Sequence, residues 1–574
     1  MADKSQNLLW GKRTIFPPAY LSVRPPAKEG FYINDPLSTL KDLEEKYVTF
    51  YRQGRYADAE AVAERALDIA RQTLGPGHLY TITFQNNIAC LNRIRQDKAG
   101  TAIQPMERST GKATLSLWLA AALLVLTLII AATGSVFPFF SQSGPVSAAS
   151  TLNPGEGEAI PFYRVRAVFY PREKTIAGEE EVTFECAGPK NGILFNLYFN
   201  RYQDAGLDSS EIRQYAFQRG KDRGYISIQR VLHNGTPVPF KAEGEVLQIL
   251  PPEGVFPPGK QNITIDFELK IPYIADRSGG NERGIWLGNW LPTLNVDGRP
   301  SPPTEIGDPF VNLSATYEVL FTVPRGYSLV LSNVQKIREE GDQQVYHGIV
   351  ERVRDLPVFL NRSYKEAVTT LGDIQIHYYF YSAGSQAQRV LDTARKALAY
   401  FQENVGPYPW QQLNIVENDM YLEGMEYSTM VLVSTRALQN NPAGTVFHEV
   451  AHQWFYNIIG SDQVNAPYMD EGLVQFFTAY ALNGQEPRFH GDVYGLDKSV
   501  DEFNTWARYQ NVHYRNGQKL FGNLYVAMGR DKFLQAIREY YRQYRFSLVS
   551  PLEFKHFFAE KTGDEGLLPA GRRD

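Results

Sequence analysis

Two histidines and a glutamate lie within one short stretch of the sequence, F-H-E-V-A-H-Q-W-F at Phe447–Phe455. His448 and His452 are four residues apart, so on a helix both rings project from one face, with Cβ atoms about 6 Å apart. Such a pair can direct two ring nitrogens at one cation, with Glu449 beside the cation as a non-ligand. An amphipathic helix that happens to carry two histidines is the alternative, because this pattern also occurs by chance.

Zinc suits the pattern, because two imidazoles and one carboxylate leave an open position for water. Glu471 is the candidate third ligand. It follows His452 with eighteen residues between them, in Y-M-D-E-G-L-V-Q-F-F, and opens a second predicted helix. With H-Q-W-F-Y-N-I-I-G-S-D-Q and the stretch L-E-G-M-E-Y-S-T-M-V-L-V-S at Leu422–Ser434, this pattern resembles the gluzincin aminopeptidases of the aminopeptidase N family.

The resemblance covers about Phe162 to Phe558 and implies a thermolysin-like catalytic domain with one zinc ion per chain. It implies that Glu449 is the general base. Gly424, Met425 and Glu426 match the family's exopeptidase motif. A carboxylate beside the zinc is a natural partner for a free α-amino group, which is largely an ammonium at neutral pH. The alternative for Glu426 is a surface carboxylate before a strand.

The resemblance also implies a tyrosine that stabilises the developing oxyanion. Tyr514, in H-Y-R-N-G, matches best, with Tyr509 in reserve because Asn516 replaces the usual lysine of that motif. Glu423 and Tyr427 depart from the exopeptidase motif. Tyr427 is expected to alter the first substrate pocket, so no preference for a substrate side chain carries over.

Two folded domains must position these residues. Alternating apolar and polar residues with Gly/Pro/Asn turns predict an antiparallel β domain over residues 161–383. A mostly helical catalytic domain follows at 384–574. Its predicted strand is Met430–Ser434, and its predicted helices are Ser385–Val405, Thr445–Ile459, Glu471–Leu482 and Asp531–Tyr544.

An apolar run at 115–137 is long enough for a transmembrane helix, since about 20 residues cross a bilayer. No charged residue occurs between Lys112 and Glu156, which argues against a buried globular helix, and the long preceding segment argues against a signal peptide. Basic residues crowd the segment before the run, 99–114 included. The positive-inside rule therefore places the N-terminus in the cytoplasm and the catalytic part outside it. Residues 138–160 are predicted to be a linker.

Residues 1–36 show no clear period. Residues 37–98 resemble one tetratricopeptide repeat of the longer kinesin-light-chain type plus the first helix of the next. Ala59, Ala63 and Ala66 recur there at helical spacing. Because such repeats bury their faces by stacking, this cytoplasmic segment is expected either to bind a protein partner or to be a small helical hairpin without one.

Composition excludes some functions. The net charge of −5 and the lack of a basic patch argue against nucleic-acid binding, and two cysteines, predicted on opposite sides of the membrane, provide no disulfide framework. The leading hypothesis is a membrane-anchored zinc aminopeptidase acting on peptides with a free N-terminus outside the cytoplasm. The alternatives are an inactive scaffold or receptor that uses its repeat, and a zinc hydrolase of different specificity.

Overall fold

The structure is a computed structural model, and the residues that it describes are 160–203, 222–296, 306–569, Ala216, 55–73 and a few positions between 39 and 88. The chain divides into two compact units, residues 1–151 and 152–574.

Several predicted segments lie outside the described residues: the irregular segment 1–36, the juxtamembrane segment 99–114, the membrane helix 115–137 and all of the linker but its last residue. Among the helices that the structure does describe, none has the length and apolarity needed to span a bilayer.

The described part of the first unit is built around helix α1 (Tyr56–Thr73). The small residues that the sequence places at helical spacing, Ala59, Ala63 and Ala66, are fully buried. They pack with Leu40 and other apolar residues in one cluster. Since alanine lets helices approach closely, this is the packing expected of a helical repeat.

The second unit begins with a β domain whose strands alternate buried and partly exposed residues, as a sheet with one covered face requires. Its strands are, in chain order, β1 (Phe162–Tyr170), β2 (Thr175–Cys186), β3 (Ile193–Asn196), β4 (Tyr225–His233), β5 (Thr236–Pro237), β6 (Phe240–Glu243), β7 (Val246–Ile249), β8 (Gly259–Lys270), β9 (Gly279–Gly280), β10 (Gly284–Leu287), β11 (Thr293–Leu294), β12 (Ala315–Pro324), β13 (Ser328–Val330), β14 (Val334–Glu340), β15 (Gln343–Val353) and β16 (Val358–Asn361).

Eight of these strands form one large sheet in the order β14-β15-β12-β1-β2-β8-β4-β5, and two four-stranded sheets accompany it. The prediction of a purely antiparallel domain is wrong at one place, because β1 and β12 pair in parallel, with Val165 opposite Val319. Parallel neighbours need a long connection, and here all the intervening strands supply it. The remaining pairs of the large sheet are antiparallel.

The catalytic part combines helices with a sheet. Its elements are β17 (Lys365–Leu371), β18 (Ile374–Phe380), α2 (Ala387–Asn404), β19 (Gln412–Asn418), β20 (Gly424–Met425), β21 (Met430–Ser434), α3 (Thr435–Asn440), α4 (Pro442–Ala451), β22 (Gly460–Ser461), α5 (Glu471–Phe477), α6 (Trp506–Tyr509), α7 (Gly517–Met528), α8 (Arg530–Tyr544), β23 (Leu548–Val549) and α9 (Pro551–Thr562). Two π-helical turns, Thr478–Leu482 and Gln510–Asn516, extend α5 and precede α7.

The five-stranded sheet of this part has the order β17-β18-β19-β21-β20. The first two of these strands lie before residue 383, where the sequence places the end of the β domain. However, β17 pairs with β18, and β18 pairs in parallel with β19, which lies after that boundary. Their alternating pattern resembles that of the preceding strands, so sequence alone assigns them to the wrong sheet. Helices pack on this sheet through one apolar core that includes Phe401, Trp454 and Phe477.

Candidate active site

One large cavity, with a volume of about 1370 Å³, lies in the second unit and is lined by residues of both domains. All the predicted site residues line it: Gly424, Met425, Glu426, His448, Glu449, His452, Glu471 and Tyr514. The sequence therefore predicts one site, and the fold brings its residues together.

The three predicted metal ligands converge at this cavity. The Nε2 atoms of His448 and His452 are 3.2 Å apart, and each lies 3.4 Å from Oε2 of Glu471. Ligand bonds of about 2.0 to 2.1 Å in a tetrahedral zinc site give edges of about 3.3 Å, so these residues fit zinc. Oε2 of Glu471 is buried and has no hydrogen-bond partner, as expected of an atom that binds a cation.

The two histidines are positioned by helix α4 and the turn after it. Asn441 caps the helix by accepting a hydrogen bond from the backbone N–H of Gly444, and the helix ends at Ala451, earlier than predicted. His452 follows it in a helical backbone conformation, and its Nδ1 lies 3.1 Å from the carbonyl oxygen of Phe455. Donation from Nδ1 leaves the lone pair on Nε2 free for a metal.

Glu449 lies beside this triad, with its side chain against β20. A Cβ atom on Gly424 would be 2.0 Å from Oε1 of Glu449, so only glycine leaves room for the carboxylate. Glu449 is 5% exposed, and its Oε2 has no hydrogen-bond partner. Burial raises the pKa of Glu449 to about 8, which suits a group that must both accept and release a proton near neutral pH.

Glu426 is not a surface carboxylate, because it is only 4% exposed. Its Oε1 accepts a hydrogen bond of 3.3 Å from Gln463, whose amide also donates to Asp470 at 2.8 Å. Asp470 in turn caps α5 through the backbone N–H of Glu471 at 2.6 Å. Burial raises the pKa of Glu426 well above its ordinary range, and the nearby carboxylate of Asp308 acts in the same direction.

Asp308 is a site residue that no sequence motif predicts. Carboxylate oxygens of Asp308, Glu426 and Glu471 all lie within 4.8 Å of one another. Asp308 accepts a hydrogen bond of 2.5 Å from Nε of Arg277, and both side chains are almost fully buried. The residue comes from the β domain, far from the histidines in sequence, so only the fold reveals it.

Of the two candidate tyrosines, Tyr514 is the one that faces the triad. Its hydroxyl donates a hydrogen bond of 2.5 Å to Oε1 of Glu471, and its ring stacks on that of His448 at a centroid distance of 6.0 Å. Tyr509 is buried in an apolar cluster with Ile306 and Val500 and does not line the cavity.

Close helix packing brings Tyr514 to this position. A Cβ atom on Gly472 would lie 2.6 Å from the Cα of Gly517, so the backbones of α5 and α7 are in contact there. The π-helical turn that carries Tyr514 comes directly before α7. Any side chain at Gly472 would separate the turn from Glu471.

Tyr427, which departs from the family motif, does not line the cavity. Its side chain is fully buried in a separate apolar cluster, and its hydroxyl donates to the carbonyl oxygen of Arg277 at 2.7 Å. Tyr427 therefore contacts no substrate in the cavity directly, and its expected effect on the first substrate pocket stays a prediction. Glu423, the other departure, does line the cavity.

Comparison with known families gives two matches. Residues 389–567 match the model of the Peptidase family M1 domain, and residues 48–111 match a tetratricopeptide repeat model. The predicted resemblance to gluzincin aminopeptidases and the predicted repeat are confirmed by these matches. The three predicted ligands can hold one metal ion, and solved structures that share the fold are zinc metallopeptidases, in agreement with the prediction of zinc.

Curated relatives of low identity include aminopeptidases and a leukotriene A-4 hydrolase of Xenopus laevis. Aminopeptidase M1-B of Oryza sativa subsp. japonica is 22% identical over 31% of this chain and 24% of its own length. Probable aminopeptidase 1 of Sulfurisphaera tokodaii is 19% identical over 64% of this chain and 50% of its own length. The chain thus spans only about a quarter to a half of these two relatives.

Solved structures share the fold of the second unit. An M1 zinc metallopeptidase from Deinococcus radiodurans aligns with a TM-score of 0.52 and 14% identity, covering 72% of this chain and 93% of the other. A mutant of that metallopeptidase, bound to a Tyr-Ser-Ala substrate, aligns with a TM-score of 0.51 and 14% identity over 71% of this chain and 92% of its own. These likenesses support the assignment of a β domain followed by a helical peptidase domain.

Proposed function

We propose that this protein is a zinc aminopeptidase that hydrolyses N-terminal residues from peptides. The observation that carries the proposal is a single cavity in which a three-ligand zinc site, an unpartnered Glu449 and the buried Glu426 lie together. When bound by His448, His452 and Glu471, zinc supplies a Lewis acid for the peptide carbonyl.

Glu449 acts as the general base. Its carboxylate accepts a proton from the attacking water and passes that proton to the amine that leaves when the peptide bond breaks. Oε2 of Glu449 is buried without a partner, so no other hydrogen bond competes for this role. Gly424 keeps the carboxylate in place because it presents no side chain.

Glu426 and Asp308 bind the free amino terminus of the peptide. Asp308 is already paired with Arg277, whereas Glu426 accepts a hydrogen bond only from the neutral amide of Gln463. Burying this second carboxylate so close to the first is unfavourable, and an ammonium group offsets the excess negative charge. Because the ammonium is held beside the zinc ligand Glu471, only the first peptide bond reaches the metal. This arrangement favours an exopeptidase over an endopeptidase.

Tyr514 stabilises the carbonyl oxygen as that oxygen gains negative charge. Its hydroxyl is a donor 2.5 Å from a carboxylate oxygen of Glu471, so a small rotation brings it to the reacting carbonyl. Gln463 is a positioning residue, since it holds Glu426 and Asp470 together.

The test uses the full-length chain purified with zinc, whose bound metal is measured directly. A panel of aminoacyl p-nitroanilides is compared with the same compounds carrying an N-acetyl group. We expect hydrolysis of the free amines only, because the acetyl group removes the positive charge that Glu426 and Asp308 bind. Equal hydrolysis of both forms would overturn the exopeptidase assignment, and no hydrolysis by the zinc-loaded protein would favour the scaffold alternative.

We also propose that the catalytic part acts outside the cytoplasm, anchored by residues 115–137. The support is the apolar run and the basic residues before it. In intact cells, an added protease should digest the catalytic part and leave an N-terminal tag protected. Protection of the catalytic part would contradict the orientation.

The repeat at residues 37–98 is proposed to bind a cytoplasmic protein. The match to a tetratricopeptide repeat and the buried alanine face of α1 support a segment that packs against other helices. Deleting the repeat should remove any partner that copurifies with the full-length protein and leave hydrolysis of aminoacyl p-nitroanilides unchanged. A loss of hydrolysis would contradict this division of roles.

A further inference from the structure

Two arginines line the cavity without a carboxylate partner. Arg436 donates one hydrogen bond, from Nη2 to the carbonyl oxygen of Tyr421 at 2.8 Å, and forms no ion pair with any residue that the structure describes. Arg515 directly follows Tyr514 and is exposed, and its side chain makes neither a hydrogen bond nor an ion pair within the described part of the chain. Two arginines without a carboxylate partner therefore line the same cavity as the predicted zinc ligands.

The edge of the catalytic sheet indicates the direction in which a bound peptide runs through this cavity. Strand β20 is the last strand in the described sheet order and pairs with β21 on one side only. A peptide can add to the other side, as extended peptides do at exposed sheet edges. With its amino group at Glu426, such a peptide runs from Glu426 past Gly424 toward Tyr421.

Distance along this edge sets the length of peptide that fits. A strand advances about 3.4 Å per residue, so the carboxylate of a three- or four-residue peptide lies about 10 to 14 Å from its amino group. Tyr421, whose carbonyl oxygen Arg436 contacts, is five positions before Glu426, so the two residues are at most about 17 Å apart. The chain bends at residues 421–423 and is extended only at Gly424–Met425, which shortens this separation toward the length of a three- or four-residue peptide.

We propose that Arg436 and Arg515 bind the C-terminal carboxylate of short peptides, so that tripeptides and tetrapeptides are the preferred substrates. The proposal rests on the proposed aminopeptidase function. A guanidinium group matches a carboxylate with two parallel hydrogen bonds, which suits a terminal carboxylate better than the neutral carbonyl of a longer chain. Glu423 also lines the cavity, and it repels the carboxylate of a dipeptide, which ends beside it.

The experiment measures kcat/KM of the full-length zinc-loaded protein on a tripeptide, on its C-terminal amide, and on a decapeptide in both forms. We expect the tripeptide acid to exceed its amide by about tenfold or more, mainly through KM, because a charge-assisted hydrogen bond is lost in the amide. The two decapeptide forms should differ little, since their C-terminus lies beyond the arginines.

The double variant Arg436→Gln/Arg515→Gln should bring the acid-to-amide ratio of the tripeptide close to one. Arg508→Gln, an exposed arginine of α6 that does not line the cavity, is the matched control and should keep the ratio. Bound zinc and the thermal transition check that each variant is folded.

A ratio near one in the wild type, an equal ratio for the decapeptide, or a ratio that the double variant keeps would each overturn the inference. Hydrolysis of p-nitroanilides by the same preparation separates this outcome from failure of the proposed function, because those substrates carry no carboxylate.

Discussion

Two buried charged clusters in the second unit differ in how their polar atoms are satisfied. Arg354 is 1% exposed and donates to backbone carbonyl oxygens of Tyr456, Asn312 and Ser547 at 2.6, 2.8 and 2.6 Å. Around the cavity, by contrast, Oε2 of Glu449 and Oε2 of Glu471 are buried and accept no hydrogen bond, although Oε2 of Glu471 lies 3.4 Å from each histidine nitrogen. Both clusters bury ionisable groups, but only the second leaves buried polar atoms without a hydrogen bond.

The difference separates a structural group from a functional one. Burial lowers the pKa of Arg354 to about 10, yet every donor that faces the core has an acceptor from the chain itself. Two oxygen atoms of the cavity carboxylates, Oε2 of Glu449 and Oε2 of Glu471, lack such a hydrogen bond, and a bound ligand can compensate the cost of burying them. The predictions below test this distinction, beginning with the largest effect.

Glu449→Gln should reduce kcat by a factor of about 10² to 10⁴ or more, because the base is lost while the shape is kept. Bound zinc should be unchanged, since Glu449 is not a ligand. The variant should also be no less stable than the wild type, because an unpartnered carboxylate is removed. Steady-state kinetics, metal content and calorimetry measure the three quantities, and retained turnover would refute the assigned role.

Arg354→Met should lower the free energy of unfolding by about 3 kcal/mol or more, because several buried carbonyl oxygens lose a side-chain donor. The matched control is Arg395→Met, at an exposed arginine next to Asp392, where less than about 0.5 kcal/mol is expected. Calorimetry of the full-length chain compares the two. Similar small losses of unfolding free energy in both variants would mean that the hydrogen bonds of Arg354 do not stabilise the fold.

Tyr514→Phe should reduce kcat by a factor of about 10² to 10³, as loss of one oxyanion donor does in other hydrolases. Tyr509→Phe is the control, because that ring is buried away from the cavity, and it should change kcat little. If Tyr509→Phe shows the larger loss, the two tyrosines have been assigned the wrong way round.

Glu180 offers the smallest and most discriminating test. It is fully buried in the β domain with both oxygens unpartnered, but it lines no described cavity. Burial raises the pKa of Glu180 well above its ordinary value, so its contribution to stability is full below that ordinary value and is lost as pH rises toward the folded-state pKa.

Glu180→Met should therefore stabilise the protein by about 1 to 3 kcal/mol at neutral pH, with a smaller gain near pH 4. Hydrolysis rates should not change. Glu179→Gln, on the outward face beside Arg166, is the control and should show little effect. A loss of activity in Glu180→Met would show that a buried carboxylate without a hydrogen-bond partner can be functional even where it lines no cavity.

The zinc site can be predicted from sequence because its residues are close in the chain and follow helical spacing. His448 and His452 need one helix, and Glu471 needs only the start of the next. Asp308 and Arg277 cannot be predicted, since they come from loops of another domain and match no motif. Resemblance alone predicts Tyr514, and the close approach of helices α5 and α7 explains its position.

The fold, like the site, can be predicted from the sequence only in part. Alternation of apolar residues identifies the strands of the β domain, because each strand has one buried face. It does not identify strand partners, so neither the parallel pair of β1 with β12 nor the membership of β17 in the catalytic sheet can be predicted. Partner choice depends on long-range packing, which leaves no local pattern.

Strand β20 is only two residues long, and it is the edge along which a peptide is expected to lie. A peptide that adds there gains few backbone hydrogen bonds, so most of its affinity must come from its two charged ends. In the proposed reaction, cleavage of the first residue leaves those two ends on different molecules. Each product then keeps only part of the original contacts, and the short strand favours rapid release and repeated turnover over long residence.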